Sequence, residues 1–266
     1  MTQSAGKKAE DFYWYHTIDL GNGEIVQGDY SMEQYLPAYH FPENMTGMKV
    51  LDVGRASGFF SFEFERRGAE VTATELRSIT EWDYLGGPDK RQERIDSYQK
   101  GHPNFDEYMI RGAFFFAHAK RKSTVTPIDA NVYDLSPALF GGNTFDMVFA
   151  GSIFSHVKNP IGAAECLRSV TKKTCIIAAP SFPVRQSYLA RKLCPGLTKF
   201  VAHAPLLRFV GRGDDDARSW FTFNASGLIE MLYAAGFKKV TIMSHVDLYS
   251  SANKADIPHI IAHAEP

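Results

Sequence analysis

The chain has 266 residues, of which 44% are hydrophobic and 22% charged, with a formal net charge of -1. This length and composition can bury a full core as one domain, with or without an added lobe. The near-zero charge excludes a global attraction to nucleic acids or membranes. Three cysteines without metal-ligand spacing (Cys166, Cys175 and Cys194), and no apolar run of signal or transmembrane length, predict a cytoplasmic protein without a disulfide framework.

The first pattern along the chain is an aromatic leader. Trp14, Tyr15 and His16 follow two further aromatic residues, and Asn22-Gly23 between short apolar runs predicts a β-hairpin. Such a segment, placed ahead of the first core strand, suggests a lid over a ligand site. For Trp14 and Tyr15 the sequence leaves both a substrate-binding role and a packing role open. His16 is equally compatible with a surface position and an active-site position.

The most informative stretch is residues 49–75. Val50, Leu51 and Val53 form an apolar run typical of a parallel strand covered on both faces. Gly54 and Gly58 then predict a turn at its carboxyl end, because glycine accepts a positive φ and lets a ligand approach the backbone. A phenylalanine-rich helix and a second strand follow, and the strand ends in Glu75, where an acid can bind both hydroxyls of a ribose. Together these features predict a nucleoside site.

The turn indicates which nucleoside is bound. A dinucleotide requires G-x-G-x-x-G, whereas this chain has Asp52-x-Gly54-x-x-x-Gly58. A carboxylate at Asp52 repels a pyrophosphate but can face an ammonium group, such as that of S-adenosylmethionine. With Glu75, the pattern resembles the first two motifs of class I S-adenosylmethionine-dependent methyltransferases. The resemblance implies S-adenosylmethionine as cofactor and an α/β, Rossmann-like fold with a mostly parallel, seven-stranded sheet and helices on both faces.

The leader narrows the resemblance. The leader is similar to an N-terminal pattern in the methyltransferase branch that contains the bacterial tRNA wobble-uridine carboxymethyltransferases. The matching residues are Trp14-Tyr15-His16-Thr17-Ile18-Asp19-Leu20-x-x-Gly23, followed by Gly28. That branch implies a substrate-capping leader, residues 1–46, before the methyltransferase domain, residues 47–266.

After Glu75, charged residues and Gly86-Gly87-Pro88 indicate a surface excursion with a short helix over residues 77–103, and residues 124–128 fit a third strand. In class I methyltransferases, a polar residue followed by an apolar one at the end of this strand contacts the adenine. Spacing favours Asn131-Val132 for this role, with Asp129-Ala130 as the alternative.

The fourth predicted strand, Phe145–Gly151, is followed by a histidine. This region resembles the corresponding methyltransferase motif, which has F-D-x-V, a small residue and then a histidine; here the histidine is His156, before Asn159-Pro160. The resemblance places Gly151 and Ser152 beside the methionine part of the cofactor. Histidine is the usual base for a hydroxyl or amine nucleophile, but one at this position often holds the loop instead, so both roles stay open for His156.

The second half of the chain adds a fifth strand, residues 174–179, and an insertion at about residues 181–219. The insertion alternates basic and aromatic residues, which suits RNA, an acidic small molecule or an amphipathic helical cap. Residues 240–245 and 257–263 are expected as an antiparallel pair at the far edge of the sheet. We interpret His259 and His263 as structural, because no third metal ligand lies near them in sequence.

The favoured function is methyl transfer from S-adenosylmethionine to an oxygen or nitrogen of a small-molecule acceptor, with His156 or His16 as base. Carboxymethyl transfer to a tRNA wobble uridine is the first alternative, although residues 14–30 offer no lysine for the extra carboxylate. A nicotinamide-dependent oxidoreductase is the second, and the missing middle glycine argues against it. A non-catalytic partner subunit is also conceivable. Nucleic acid is thus a disfavoured partner, and the sequence leaves the oligomeric state open.

Overall fold

The computed structural model describes residues 6–21, 23–182, 203–210 and 219–266. The strands are β1 (Ile18–Asp19), β2 (Ile25–Val26), β3 (Lys49–Val53), β4 (Glu70–Glu75), β5 (Thr126–Asp129), β6 (Phe145–Gly151), β7 (Thr171–Pro180), β8 (Leu207–Phe209), β9 (Phe221–Phe223), β10 (Lys239–Ser250) and β11 (Ala255–Glu265). The α-helices are α1 (Leu36–Tyr39), α2 (Phe59–Arg66), α3 (Gly87–Gly101), α4 (Gly112–Arg121), α5 (Pro160–Val170) and α6 (Ala225–Ala234).

Seven strands form the central sheet in the order β10-β11-β7-β6-β3-β4-β5. The pairs among β7, β6, β3, β4 and β5 are parallel, whereas β11 runs antiparallel to both β7 and β10. The predicted mostly parallel, seven-stranded sheet with an antiparallel pair at its far edge is therefore confirmed. The carboxyl ends of the parallel strands meet at one edge, where ligands bind in open α/β sheets.

Apolar side chains cover both faces of the sheet. Alternate residues of β6 enter different cores, with Met147 and Phe149 on one side and Val148 and Ala150 on the other. The first core includes the phenylalanines of α2 and α4, and the second includes residues of α5 and α6. This arrangement explains why β3 and β6 are mostly apolar, and it confirms helices on both faces.

The leader belongs to the first core. Phe12, Trp14, Tyr39 and Met45 are buried in the same cluster as Phe149. The predicted hairpin is confirmed, since β1 pairs with β2 in antiparallel register. The division at residues 46 and 47 stays a prediction.

The excursion after β4 differs from the expectation. Instead of a short helix it contains α3, which has 15 residues and buries only Ile95. Gly-Gly-Pro does not interrupt this helix but begins it, because Pro88 lies in the first turn, where its missing N–H costs no intrahelical hydrogen bond. Because α3 is mostly exposed, its sequence has no apolar periodicity, and the length of the helix was not predictable.

Two other features bear on the sequence predictions. Cys166 and Cys175 are free, whereas Cys194 and most of the insertion lie outside the described residues. Among the helices that the structure describes, none is long and apolar enough to cross a membrane.

Candidate functional site

The glycine turn connects β3 to α2 at the carboxyl edge of the sheet. Gly54 and Gly58 have φ values of +77° and +94°. A Cβ at Gly54 would lie 2.4 Å from Ile153 Cδ1, and one at Gly58 would lie 2.7 Å from the rings of Phe62 and Phe114. Both positions have the positive φ that the glycine pattern predicted, and at Gly58 a Cβ would also meet two packed aromatic rings.

Glu75 ends β4 beside this turn and is only half-buried. Its Oε2 accepts a hydrogen bond from the N–H of Ala56 at 3.1 Å, and its Oε1 accepts one from the N–H of Leu76 at 2.9 Å. A carboxylate has about four lone-pair positions, so each oxygen keeps capacity for one more donor. The carboxylate is therefore anchored to the turn and still able to bind a pair of hydroxyls.

Asp129 ends β5 and pairs in register with Glu75. It accepts a hydrogen bond from Arg111 Nη1 at 2.7 Å, with Arg77 at 3.7 Å and Arg55 at 4.0 Å. Two carboxylates and three guanidinium groups thus share this corner of the sheet, and Asp129 is already occupied by arginine.

Arg55 lies within the glycine turn and is 1% exposed. Its guanidinium carbon stands 4.6 Å from the centroid of the Phe114 ring, and burial lowers the pKa of the guanidinium. No sequence pattern pointed to Arg55, although a charged residue between the two glycines of the turn is an unusual signal. Its guanidinium packs on Phe114, and its Nη1 donates to the carbonyls of Ala73 and Ile128, each over 3.5 Å, so it connects the turn to β4 and β5.

The predicted adenine contact lies just beyond β5. Asn131 begins the short 3₁₀ helix Val132–Asp134, and its Oδ1 accepts a hydrogen bond from the N–H of Tyr133 at 3.1 Å. Val132 is buried. Since Asp129 is held by arginines, the structure leaves Asn131-Val132 as the preferred prediction over Asp129-Ala130.

Asp52, predicted to face an ammonium group, lies on β3 and is 1% exposed. Ser61 Oγ donates a hydrogen bond to its Oδ2 at 2.5 Å. Burial raises the pKa of this carboxyl to about 7. Asp52 does not line the cavity described next, so its contact with a ligand stays a prediction.

A cavity joins the glycine turn to the leader. Its empty volume, open solvent included, is about 450 Å³. Gly54, Ala56, Gly151 and Ser152 line it on the side of the turn. Its other lining residues are aromatic, aliphatic or imidazole side chains: Tyr15, His16, Tyr30, Met32, Tyr39, Phe60, Phe149, Ala178, Leu248 and His259.

The predicted site residues divide between this cavity and other parts of the fold. Tyr15 and His16 line the cavity, but the buried Trp14 packs against Phe116 and donates its indole N–H to the carbonyl of Ala9. His156 is exposed and is not part of the cavity lining. Only one of the two predicted bases, His16, therefore lies in the cavity.

His16 is 6% exposed, and its ring lies among those of Tyr15, Phe59 and Phe60. Burial lowers the pKa of the imidazole to about 3, so the ring is neutral at physiological pH. Within the described part of the chain, its buried Nδ1 has no hydrogen-bond partner.

His259, interpreted from the sequence as structural, lines the cavity. It is 3% exposed, and its Nε2 lies 3.0 Å from Ser152 Oγ. The two residues are 107 positions apart, so only the strand order reveals the contact. Ser152 itself has a φ of +59°, an uncommon conformation for a residue with a Cβ.

The sequence matches no protein-family model and no curated protein. Among solved structures, the chain is similar to the N-terminal domain of EvdMO1 with SAH bound, with a TM-score of 0.55 and 14% identity over 96% of this chain and 92% of that chain. The same domain in the presence of SAH and D-fucose gives a TM-score of 0.54 and 15% identity over the same shares. Magnesium protoporphyrin IX methyltransferase (ChlM) from Synechocystis PCC 6803 with bound SAH gives a TM-score of 0.43 and 14% identity over 84% of this chain and 76% of that chain.

The two likenesses with TM-scores above 0.5 concern the fold. Together with the sheet order and the glycine turn, the similarity to the EvdMO1 domain shows that the chain has the Rossmann-like fold of class I S-adenosylmethionine-dependent methyltransferases.

Proposed function

We propose that this protein transfers a methyl group from S-adenosylmethionine to an oxygen or nitrogen of a small-molecule acceptor. The observation that carries the proposal is the continuous cavity between the glycine turn and Gly151-Ser152, with the anchored carboxylate of Glu75 beside the turn. The structurally similar N-terminal domain of EvdMO1 binds SAH, the product that S-adenosylmethionine leaves after methyl transfer. This supports S-adenosylmethionine as the cofactor.

The residues of this corner fit such a cofactor. Glu75 has unused lone pairs for two ribose hydroxyls, and Gly54 brings the backbone to the cavity wall. Asn131 and Val132 lie beyond the neighbouring strand, where the adenine contact was predicted. Gly151 and Ser152 line the cavity on the adjoining strand end, as expected of residues beside the methionine part.

When bound, S-adenosylmethionine supplies an electrophilic methyl on a sulfonium, whose sulfur keeps the electron pair of the broken C–S bond while the acceptor forms a bond to the methyl and loses a proton. The chain's contribution is to align the acceptor and exclude water, for which the buried leader is suited. Of the two predicted bases, only His16 lines the cavity, but burial lowers its pKa to about 3, so its imidazole is a weak base for that proton.

The cavity favours methyl transfer over carboxymethyl transfer to tRNA. An extra carboxylate on the cofactor needs a cationic partner, and none of the described residues lining the cavity is a lysine or an arginine. The proposed acceptor is accordingly a small molecule, and nucleic acid is not favoured.

Calorimetric titration tests the cofactor assignment. We expect the protein to bind S-adenosylmethionine in preference to its carboxylated analogue and to reduced nicotinamide dinucleotide. Glu75→Gln removes one accepting oxygen and the charge, so the affinity for S-adenosylmethionine should fall at least about tenfold. Glu70→Gln is the matched control, because Glu70 begins the same strand at the opposite edge and is exposed.

Unchanged affinity in Glu75→Gln would show that this carboxylate does not bind the ribose. Preference for the carboxylated analogue would favour the tRNA alternative, and preference for the dinucleotide would favour an oxidoreductase.

A further inference from the structure

The cavity is unusual in having polar atoms but no full charge. None of its described lining residues is Asp, Glu, Lys or Arg. Burial lowers the pKa of His259 to about 4 and also depresses that of His16, while it raises the pKa of Tyr15, Tyr30 and Tyr39. All five side chains are thus neutral at physiological pH. Beside these five side chains, an ionic group on the acceptor would lose its hydration without gaining a counter-charge from the protein.

The pair formed by Ser152 and His259 has a defined hydrogen-bond direction. His259 Nδ1 lies 2.8 Å from the carbonyl oxygen of Ile257, which can only accept, so Nδ1 carries the proton. Nε2 is then an acceptor, and the hydroxyl of Ser152 donates to it over 3.0 Å. With its proton directed at His259, Ser152 Oγ presents only lone pairs to a ligand in the cavity.

His16 provides a second polar position. Its buried Nδ1 has no hydrogen-bond partner in the part of the chain that the structure describes. Buried polar atoms of folded proteins are usually paired with protein, water or ligand. A ligand group that bonds this imidazole would satisfy it. Most of the remaining lining residues are aromatic, among them Tyr30, Tyr39, Phe60 and Phe149.

We propose that the methyl acceptor is an uncharged, planar hydroxyl compound, such as a phenol, whose hydroxyl donates a hydrogen bond to Ser152 Oγ. Aromatic walls select the flat apolar body, and His259 orients Ser152 so that it accepts from the ligand. His259 is therefore a positioning residue, which acts on the ligand through Ser152. This inference rests on the proposed function, since it names the substrate class of the same cavity.

The test uses four probes with one common ring system: 2-naphthol, naphthalene, 2-naphthoate and 2-naphthylmethylamine. Their dissociation constants are measured near neutral pH by equilibrium dialysis, on the free protein and on the protein saturated with SAH. We expect 2-naphthol to bind at least about tenfold more tightly than either charged probe, because each charge would be desolvated without a partner.

Ser152→Ala identifies the residue that recognises the hydroxyl. It should reduce the preference for 2-naphthol over naphthalene roughly five- to tenfold, the usual effect of one hydrogen bond. Ser155→Ala is the control, because Ser155 lies in the same turn and its hydroxyl bonds the Ser152 carbonyl outside the cavity lining. His259→Phe should reduce the same preference, and His259→Gln, which keeps an accepting oxygen, should restore part of it.

Three outcomes would overturn the inference: equal binding of 2-naphthol and 2-naphthoate, no binding of any probe, or an unchanged naphthol preference in Ser152→Ala. A separate titration with SAH distinguishes the two proposals. Failure to bind SAH would refute the cofactor assignment, whereas SAH binding without a naphthol preference would refute only the acceptor class.

Discussion

Asp52 gives the structure a strong dependence of stability on pH. Burial raises the pKa of its carboxyl from 3.8 to about 7, although the hydrogen bond from Ser61 works in the opposite direction. Glu75 adds to the increase and Arg55 reduces it. Near neutral pH, the carboxyl is therefore about half protonated in the folded protein and fully ionised in the unfolded chain.

Asp52→Asn removes this ionisation and keeps an oxygen that can accept from Ser61. Below a pH of about 4 the wild-type carboxyl is protonated in both states. Between about pH 4 and pH 7 only the unfolded chain releases the proton, so the folded state loses stability as the pH rises. Relative to Asp52→Asn, the wild-type free energy of unfolding should fall by roughly 4 kcal/mol across that interval and then level off.

Urea unfolding of both proteins, followed by tryptophan fluorescence at a series of pH values, measures this difference. Asp146→Asn is a control of opposite sign, because the N–H of Lys49 and the ammonium of Lys173 lower the pKa of Asp146. The wild-type protein should gain stability over Asp146→Asn as the pH rises. A pH-independent difference for Asp52→Asn, or one with the sign seen for Asp146, would refute the reasoning.

Two further predictions concern stability. Gly58→Ala should lower the free energy of unfolding by roughly 1–3 kcal/mol, because the new Cβ meets the rings of Phe62 and Phe114 at a φ of +94°. Gly141→Ala should cost less in the same urea titration, because its φ is +64° and a Cβ there meets no atom closer than 3.9 Å. Trp220→Phe should cost about 1 kcal/mol, since the indole N–H donates to the carbonyl of Asp83 at 2.9 Å. An unchanged unfolding midpoint would exclude that contribution.

The region around the glycine turn was predictable because its constraints are local. Strand, turn, helix and second strand follow one another within residues 49–75, and each has its own signal in apolar runs or glycine positions. Glu75 was predictable as well, since the end of a parallel strand fixes the edge at which its side chain lies. The length of α3 was not, because a helix that buries one residue leaves almost no periodic pattern.

The composition of the cavity was decided by tertiary structure. The sequence predicted either His16 or His156 as the base, but of these two only His16 lines the cavity. His259 was interpreted as structural, yet it contacts Ser152 because β11 lies beside β7, whose other neighbour is β6. Strand order and register depend on contacts between residues that are far apart in the chain, and no local pattern specifies them. The sequence by itself determined the fold class and the turn at its carboxyl edge, whereas only the folded chain decided which polar atoms face the ligand.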